Sequence, residues 1–132
     1  MAGKESDKTL LKSNRIKKLK DSLLGPFPLS KDSISEAPLS SGVYLLGSSE
    51  KPYIYVGRSE INLRDKIRNH FPDNETDSSL QENAPDHFYY AQTFSLREAY
   101  ELECRWYHEL KPICNIKHPP KPYPLVCPIC KE

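Results

Sequence analysis

The sequence predicts a small α/β domain in which helices flank a three-stranded, mostly antiparallel sheet. Two apolar runs, one containing Gly-Val-Tyr at 42–44 and the other Tyr-Val-Gly at 55–57, are separated by a short polar break at 47–52. This composition is typical of two strands joined by a loop. A third strand is predicted at 87–93, and helical periodicity precedes and follows it. A chain of 132 residues supports one small domain of this kind.

Residues 1–25 are predicted to form a basic amphipathic helix. Seven Lys or Arg stand against three acidic residues, leucine and isoleucine recur at three- and four-residue steps, and Gly25-Pro26 ends the run. The helix either packs on the domain with a solvated basic face or forms a positive ridge along a phosphate backbone. The two interpretations are compatible.

Three further segments complete the predicted organisation. Residues 26–40 contain three prolines and several serines and are interpreted as a linker, and 41–116 would form the compact domain. Within it, the acidic segment 72–86 is interpreted as a long loop. Because its charge would repel phosphate, we expect it at the rim of any nucleic-acid groove. Residues 117–132 form a tail rich in proline and cysteine.

Composition narrows the class of protein without deciding its function. A net charge of +1 does not by itself indicate a nucleic-acid-binding protein. The chain contains no apolar stretch of membrane-spanning length and no signal-like apolar core. We therefore expect a soluble protein of the cytoplasm, or of the nucleus in a eukaryote, with no membrane partner. Its four cysteines are expected to be reduced or metal-bound rather than paired as disulfides.

The predicted helix at 95–111 places a carboxylate where apolar side chains are expected. Ser95 and Glu98 form a capping box at its start, and Pro112 ends it. Glu103 falls inside the apolar sector, where a charge costs free energy unless a cation or hydrogen-bond donors compensate it. A salt bridge from another element and a metal ion are both open as explanations. The apolar stripe of this helix consists of Ala99, Leu102, Trp106 and Leu110.

A shorter helix is predicted after Asn62, which is a plausible N-cap. Lys66 and His70 are four residues apart, so they share one flank and can contact a common ligand. Arg64 and Arg68 fall on the opposite flank. The buried stripe consists of Leu63, Ile67 and Phe71.

In order and spacing, a set of polar residues along these elements resembles the GIY-YIG endonuclease family over residues of about 40–116. The resemblance implies the fold described above and a divalent-metal-dependent endonuclease that hydrolyses DNA phosphodiester bonds in repair or recombination. The residues that carry it are Tyr44, Tyr55, Arg58, Lys66, His70, Glu103 and Asn115.

The resemblance also implies roles for these residues. Glu103 would hold Mg²⁺ or Mn²⁺. One of Tyr44 and Tyr55 would activate or position the attacking water, although a phenol with a pKa near ~10 needs a neighbouring cation to ionise at neutral pH. His70 would be an alternative base or would accept the tyrosine proton. Asn115 would orient a water at the metal or a phosphate oxygen.

Arg58 and Lys66 would hold the scissile phosphate. The family normally has an arginine where this sequence has Lys66, and lysine keeps the charge but lacks the planar fork that binds phosphate through two hydrogen bonds. The alternative function is therefore a catalytically weakened nucleic-acid-binding module of the same fold. Because the chain adds little to the catalytic unit, target choice would be weak, dependent on DNA structure, or delegated to a protein partner.

The tail contains spacings compatible with a structural zinc site. A zinc-stabilised interaction protein is the second alternative function, and a reduced Cys-x-x-Cys without metal is the other interpretation of the tail. His87 and His108 belong to no motif and are expected to be structural or solvent-facing. The predicted zinc ligands are Cys114, His118, Cys127 and Cys130.

Overall fold

The computed structural model describes residues 23–131. The predicted basic helix therefore falls largely on residues outside this range. Within it, no helix is both long and apolar enough to cross a membrane. The elements are β1 (Leu24–Pro28), α1 (Lys31–Ile34), β2 (Gly42–Gly47), β3 (Tyr55–Ser59), α2 (Leu63–Arg68), α3 (Ser78–Asn83), β4 (His87–Gln92) and α4 (Leu96–Leu110).

The predicted α/β class with an antiparallel, helix-flanked sheet is confirmed, but the sheet has four strands rather than three. Their order is β1-β4-β2-β3, and every neighbouring pair is antiparallel. The additional strand, β1, begins in the segment interpreted as a helix and a linker. Its Gly-Pro-Phe-Pro sequence does not predict a strand, because proline lacks the N–H that pairs with a neighbouring strand. Proline is tolerated where that missing N–H would face away from a partner. β1 meets that condition as an edge strand paired only with β4.

The start of each main helix agrees with the sequence prediction. Ser95 Oγ accepts a hydrogen bond from the Glu98 N–H at 3.1 Å, and Glu98 reaches back to the Phe94 N–H at 2.7 Å. Asn62 Oδ1 accepts from the Asp65 N–H at 3.1 Å and begins α2. These caps satisfy N–H groups that have no partner inside a helix.

The acidic segment 72–86 is not entirely a loop, since it contains α3. Asp77 caps this helix by accepting from the Leu80 N–H at 3.1 Å, and Leu80 is buried. Ala84 ends it with a left-handed φ of 47°. Leu80 is the one buried residue of α3, so its sequence shows no apolar stripe from which a helix could be predicted.

Alternate residues of β2 face two separate cores, as a strand between two layers requires. Val43 and Leu45 pack with Trp106 of α4, whereas Tyr44 and Leu46 pack with the helices on the other face. All six residues of β2 are buried. Tyr44 is thereby fixed on the α2 face of the sheet, and Glu103 approaches from the α4 face.

The segment after α4 covers part of the exposed edge of β3. The Cys114 N–H donates to the Ile54 carbonyl at 2.8 Å. The Asn115 side chain continues the pairing, because its Oδ1 accepts from the Val56 N–H at 2.8 Å and its Nδ2 donates to the Val56 carbonyl at 2.9 Å. Asn115 thus satisfies backbone groups that an edge strand otherwise leaves unpaired.

We expect Asn115→Ala to destabilise the domain. The substitution leaves the Val56 N–H and carbonyl without a partner, so the free energy of unfolding should fall by about 1–3 kcal/mol. Urea denaturation followed by circular dichroism measures this. Gln92→Ala, at an exposed position, should change the free energy of unfolding by less than about 0.5 kcal/mol. Equal effects of the two substitutions would contradict a bridging role for Asn115.

Candidate active site

An open cavity of about 660 Å³ lies between β3, α2 and α4. Because β3 is an edge strand, side chains from both of its faces reach this cavity. Five of the predicted site residues line it: Tyr44, Tyr55, Arg58, Lys66 and Glu103. His70 and Asn115 do not line it, but His70 contacts Tyr44, and Asn115 pairs with the backbone of Val56.

Tyr44 belongs to a chain of three hydrogen-bonded side chains. Its hydroxyl lies 2.7 Å from His70 Nε2, and His70 Nδ1 lies 2.7 Å from Glu75 Oε1. An ionised carboxylate only accepts hydrogen bonds, so Nδ1 carries the proton. In a neutral imidazole Nε2 is then the acceptor, and the Tyr44 hydroxyl donates to it. The arrangement thus places an acceptor nitrogen of His70 against the Tyr44 hydroxyl.

The sequence alone does not reveal that Glu75 contacts His70. Glu75 lies in the acidic segment that was expected at the rim, yet its side chain is 8% exposed and holds His70. Its spacing of five from His70 matches no helical contact, because α2 ends before His70 and the chain turns between the two residues. Nothing in the sequence distinguishes Glu75 from its acidic neighbours.

Burial raises the pKa of both candidate tyrosines and so favours their protonated forms. Desolvation raises the pKa of Tyr44 well above its ordinary value of 10.0, and Tyr55 and Glu103 add to the rise. Desolvation also raises the pKa of Tyr55, with Glu103 contributing again. The two rings lie 6.1 Å apart between centroids. A phenolate here therefore requires additional positive charge in the cavity.

Gly57 makes room for the Tyr44 phenol. The two residues are directly opposite in the β2–β3 pairing. A Cβ atom at position 57 would overlap the Tyr44 ring and hydroxyl, so no other residue fits without displacing them. Packing of the Tyr44 ring therefore requires glycine at position 57.

Glu103 forms a salt bridge and also faces the cavity. Its Oε1 accepts from the Arg58 guanidinium at 2.7 Å, and the two side chains are 6% and 10% exposed, respectively. Arg58 donates as well to Glu60 at 3.1 Å and to the Pro120 carbonyl at 3.0 Å. Burial raises the pKa of Glu103, and the Arg58 pairing opposes that rise. The Glu103 carboxylate is therefore buried on α4, as its place in the apolar sector predicted, and it is paired with Arg58.

The donors at this cavity fit a hard divalent cation with few protein ligands. Among residues 23–131, Glu103 Oε2 receives no hydrogen bond, while the side chain lines the cavity. No group of three or more His, Cys, Asp or Glu ligands converges here in the same range. Mg²⁺ is commonly held by one or two carboxylates and retains several waters. A single carboxylate in an open cavity suits that preference.

The three basic side chains of α2 diverge as the helical projection predicts. Lys66 lines the cavity. Arg64 Nε donates to the Ala37 carbonyl at 2.9 Å, and Arg68 pairs with Asp65 at 2.6 Å. Neither arginine lies at the cavity, so Lys66 has no substitute on its helix.

The predicted set of zinc ligands differs from the observed cluster by one residue. Cys114 packs in the core on the α2 face, where its thiol donates to the Ser79 carbonyl at 3.7 Å. His118, Cys127 and Cys130 instead converge with His108, which belongs to no sequence motif and was expected to be structural or solvent-facing. Cys114 is held away because its backbone pairs with the edge of β3.

Residues 40–117 match the family of the GIY-YIG catalytic domain. The chain belongs to the GIY-YIG family. The matched range contains β2 to β4 and α2 to α4, and it contains Tyr44, Tyr55, Glu103 and the other residues that carried the resemblance. The chain thus contains a GIY-YIG endonuclease domain.

Individual similar proteins share this domain. The UvrABC system protein C of Cytophaga hutchinsonii is 32% identical over 98 residues, which are 71% of this chain and 16% of that protein. The protein of the same name from Bdellovibrio bacteriovorus is 32% identical over 101 residues, 73% of this chain and again 16% of its own length. This chain therefore spans a small part of these relatives.

Solved structures of a GIY-YIG domain show the same fold. The N-terminal endonuclease domain of UvrC from Thermotoga maritima, bound to magnesium as its catalytic divalent cation, superposes with a TM-score of 0.54 at 24% identity. The superposition covers 65% of this chain and 94% of that domain. A point mutant of the same domain, bound to its catalytic divalent cation, gives a TM-score of 0.55 over 66% of this chain.

We expect the stability of the GIY-YIG domain to fall at alkaline pH partly through Tyr44. Its pKa is raised in the folded state, so its contribution is fully present below the unfolded value of 10.0 and is lost as the pH rises toward the folded value. One such proton gives a slope of about 1.4 kcal/mol per pH unit in the free energy of unfolding.

Urea denaturation between about pH 9 and pH 11 measures this slope, and Tyr44→Phe should reduce it. The slope is the informative quantity because the substitution also changes stability at neutral pH. Tyr123→Phe is the control, since Tyr123 is 96% exposed. An unchanged slope in Tyr44→Phe would show that Tyr44 ionises in the folded protein as easily as in the unfolded chain.

Proposed function

We propose that the protein is a divalent-metal-dependent endonuclease that hydrolyses DNA phosphodiester bonds. The observation that supports this best is that Glu103 and Tyr44 line one cavity together with Arg58 and Lys66. The Tyr44 hydroxyl is in turn hydrogen-bonded to His70. A carboxylate ligand, a proton acceptor and two cations are the groups that phosphodiester hydrolysis requires. The divalent cations bound by the Thermotoga maritima domain are consistent with the metal requirement.

Glu103 would hold the divalent cation, which when bound supplies positive charge to a phosphate oxygen and to the leaving oxygen. Arg58 fixes the orientation of the Glu103 carboxylate through the 2.7 Å contact. The pairing also opposes the rise in the pKa of Glu103 that burial causes. Arg58 therefore acts on the site partly as a positioning residue.

Tyr44 and His70 would handle the proton of the attacking water. The Tyr44 hydroxyl donates to Nε2, so a proton leaving the phenol passes to His70 as the phenol takes one from water. Glu75 holds Nδ1–H and stabilises the imidazolium that forms. Tyr55, whose ring centroid lies 5.1 Å from that of His70, borders the same space and would orient the water.

Lys66 would contact the phosphate directly. Its side chain is exposed at the cavity, and it forms no ion pair with any residue between 23 and 131. A single ammonium provides charge without the two parallel hydrogen bonds of a guanidinium. Binding through Lys66 should therefore weaken steeply with salt, as phosphate contacts do.

Glu103→Gln should abolish metal-dependent cleavage. The substitution keeps the size of the side chain and an oxygen for Arg58 but removes the charge that the cation requires. A metal that supplies several kcal/mol of transition-state stabilisation corresponds to a loss of roughly 10²–10⁴-fold in rate. Nicking of supercoiled plasmid with Mg²⁺, with Mn²⁺ and with a chelator measures it.

The matched control is Glu109→Gln, an exposed position on the same helix, which should cleave as the unmodified protein does. Cleavage by Glu103→Gln at the unmodified rate would refute the metal assignment. DNA binding without cleavage in either metal, on plasmid and on branched DNA, would refute the enzyme and favour the nucleic-acid-binding module.

Glu75→Gln should lower the cleavage rate without preventing DNA binding. The amide cannot stabilise an imidazolium, so we expect a loss of roughly 10²–10⁴-fold, the range for a general acid–base group. Single-turnover cleavage and a binding titration separate the two effects. Asp73→Asn, an exposed carboxylate of the same segment, should retain the unmodified rate. Equal rates in both variants would remove Glu75 from the mechanism.

A further inference from the structure

Four metal-ligating side chains converge outside the active-site cavity, where α4 meets the proline-rich tail. One ligand atom from each lies within 4.8 Å of the others. We call this group the His/Cys cluster; its members are His108, His118, Cys127 and Cys130. It is the only group of this kind among residues 23–131. None of its members takes part in the mechanism proposed above.

His108 shows an unmet requirement for a partner. It lies in the last turn of α4, and its Nε2 is buried without a hydrogen-bond partner among residues 23–131. Buried polar nitrogen atoms are almost always satisfied, and an unsatisfied one calls for an explanation such as an ion. The ring centroid lies 5.2 Å from that of His118. A metal ion between these rings would satisfy Nε2.

His118 is oriented as a metal-ligating histidine usually is. Its Nδ1 lies 2.9 Å from the Pro119 carbonyl, so Nδ1–H donates there and the Nε2 lone pair faces the cluster. Nε2 lies 3.5 Å from Cys130 Sγ. Two ligands of a tetrahedral zinc ion, with bonds of 2.3 Å to sulfur and 2.0–2.1 Å to nitrogen, are about 3.6 Å apart.

The two cysteines lie on one tight turn. The Ile129 N–H donates to Cys127 Sγ at 3.4 Å, and the Lys131 N–H donates to the Cys127 carbonyl at 2.9 Å. A backbone donor aimed at sulfur stabilises a thiolate, which is the form that binds metal. Cys127 is fully buried, and Cys130 is partly buried beside it.

We propose that the His/Cys cluster binds one structural zinc ion through two imidazoles and two thiolates. Tetrahedral sites with two sulfur and two nitrogen ligands are characteristic of zinc, and four protein ligands leave no position open for a substrate. The site therefore stabilises structure and performs no reaction. It differs from the set suggested by spacing alone, because His108 takes the place of Cys114.

The zinc site holds the tail against the active site. Pro120 follows His118 by two residues, accepts a hydrogen bond from Arg58 and lines the active-site cavity. Leu125, on the other side of the loop, is buried against Tyr100 and Cys104 of α4. Ligation at both ends of 118–130 would fix Pro120 over the guanidinium that orients Glu103.

Metal content of the purified full-length chain tests the proposal directly. Elemental analysis should find one zinc per chain, and replacement with Co²⁺ should give the visible absorption bands of a tetrahedral ion with thiolate ligands. His108→Ala and Cys130→Ser should lose the bound zinc. Cys114→Ala should retain it, although Cys114 is a buried cysteine with the spacing expected of a ligand.

A ligand exchange separates loss of metal from loss of folding. His108→Cys should rebind one zinc, and its Co²⁺ form should show charge-transfer absorption increased from two thiolates to three, about 1.5-fold. Circular dichroism on each variant, with and without chelator, reports folding independently. His87→Ala, a histidine outside the cluster, should keep the zinc and the spectrum of the unmodified protein.

Three results would overturn the proposal. They are a purified chain without zinc that also fails to bind added Zn²⁺ or Co²⁺, zinc lost in Cys114→Ala but kept in His108→Ala, and iron in place of zinc. Metal content is measured without DNA, so these outcomes are independent of whether the protein cleaves. A zinc-loaded chain that does not nick plasmid would refute the nuclease and leave the zinc site established.

Discussion

The buried pair of Arg58 and Glu103 is the interaction on which the site depends. It joins the edge strand β3 to the long helix α4, and the same guanidinium holds the Pro120 carbonyl of the tail. Burying two charges is costly, and removing one partner from such a pair typically costs 3–5 kcal/mol. One guanidinium thus joins three separate parts of the chain through two contacts. The carboxylate at position 103, which is unusual on the apolar side of a helix, is the partner that the buried Arg58 requires.

The edge position of β3 explains where the site lies. A central strand is covered on both sides, as β2 is, whereas β3 lets Tyr55 from one face and Arg58 from the other reach a common cavity. An open edge also invites unwanted pairing. Here Cys114 and Asn115 cover part of it, so the cavity occupies the end of the strand that remains accessible. Asn115 therefore supports the edge of β3 beside the cavity.

The ionisable groups around the cavity lie on two faces of the sheet. On the α4 face, burial raises the pKa of Glu103, and the pairing with Arg58 opposes that rise. On the α2 face, burial raises the pKa of Tyr44, whose hydroxyl is hydrogen-bonded to His70, and Glu75 holds the other ring nitrogen of His70. Burial thus opposes ionisation of both phenols, and additional positive charge in the cavity would favour it.

The sequence by itself determined the features that depend on neighbours three or four residues apart: the caps at Ser95 and Asn62, the hairpin, and the buried position of Glu103. It also placed five of the seven predicted site residues at one cavity through the family resemblance. Only the tertiary structure decided the pairing of Glu75 with His70, the bridging role of Asn115, the strand β1 and the exchange of Cys114 for His108. Each of these depends on segments that are distant in sequence or lack a periodic pattern, and their convergence is set by packing rather than by local preference.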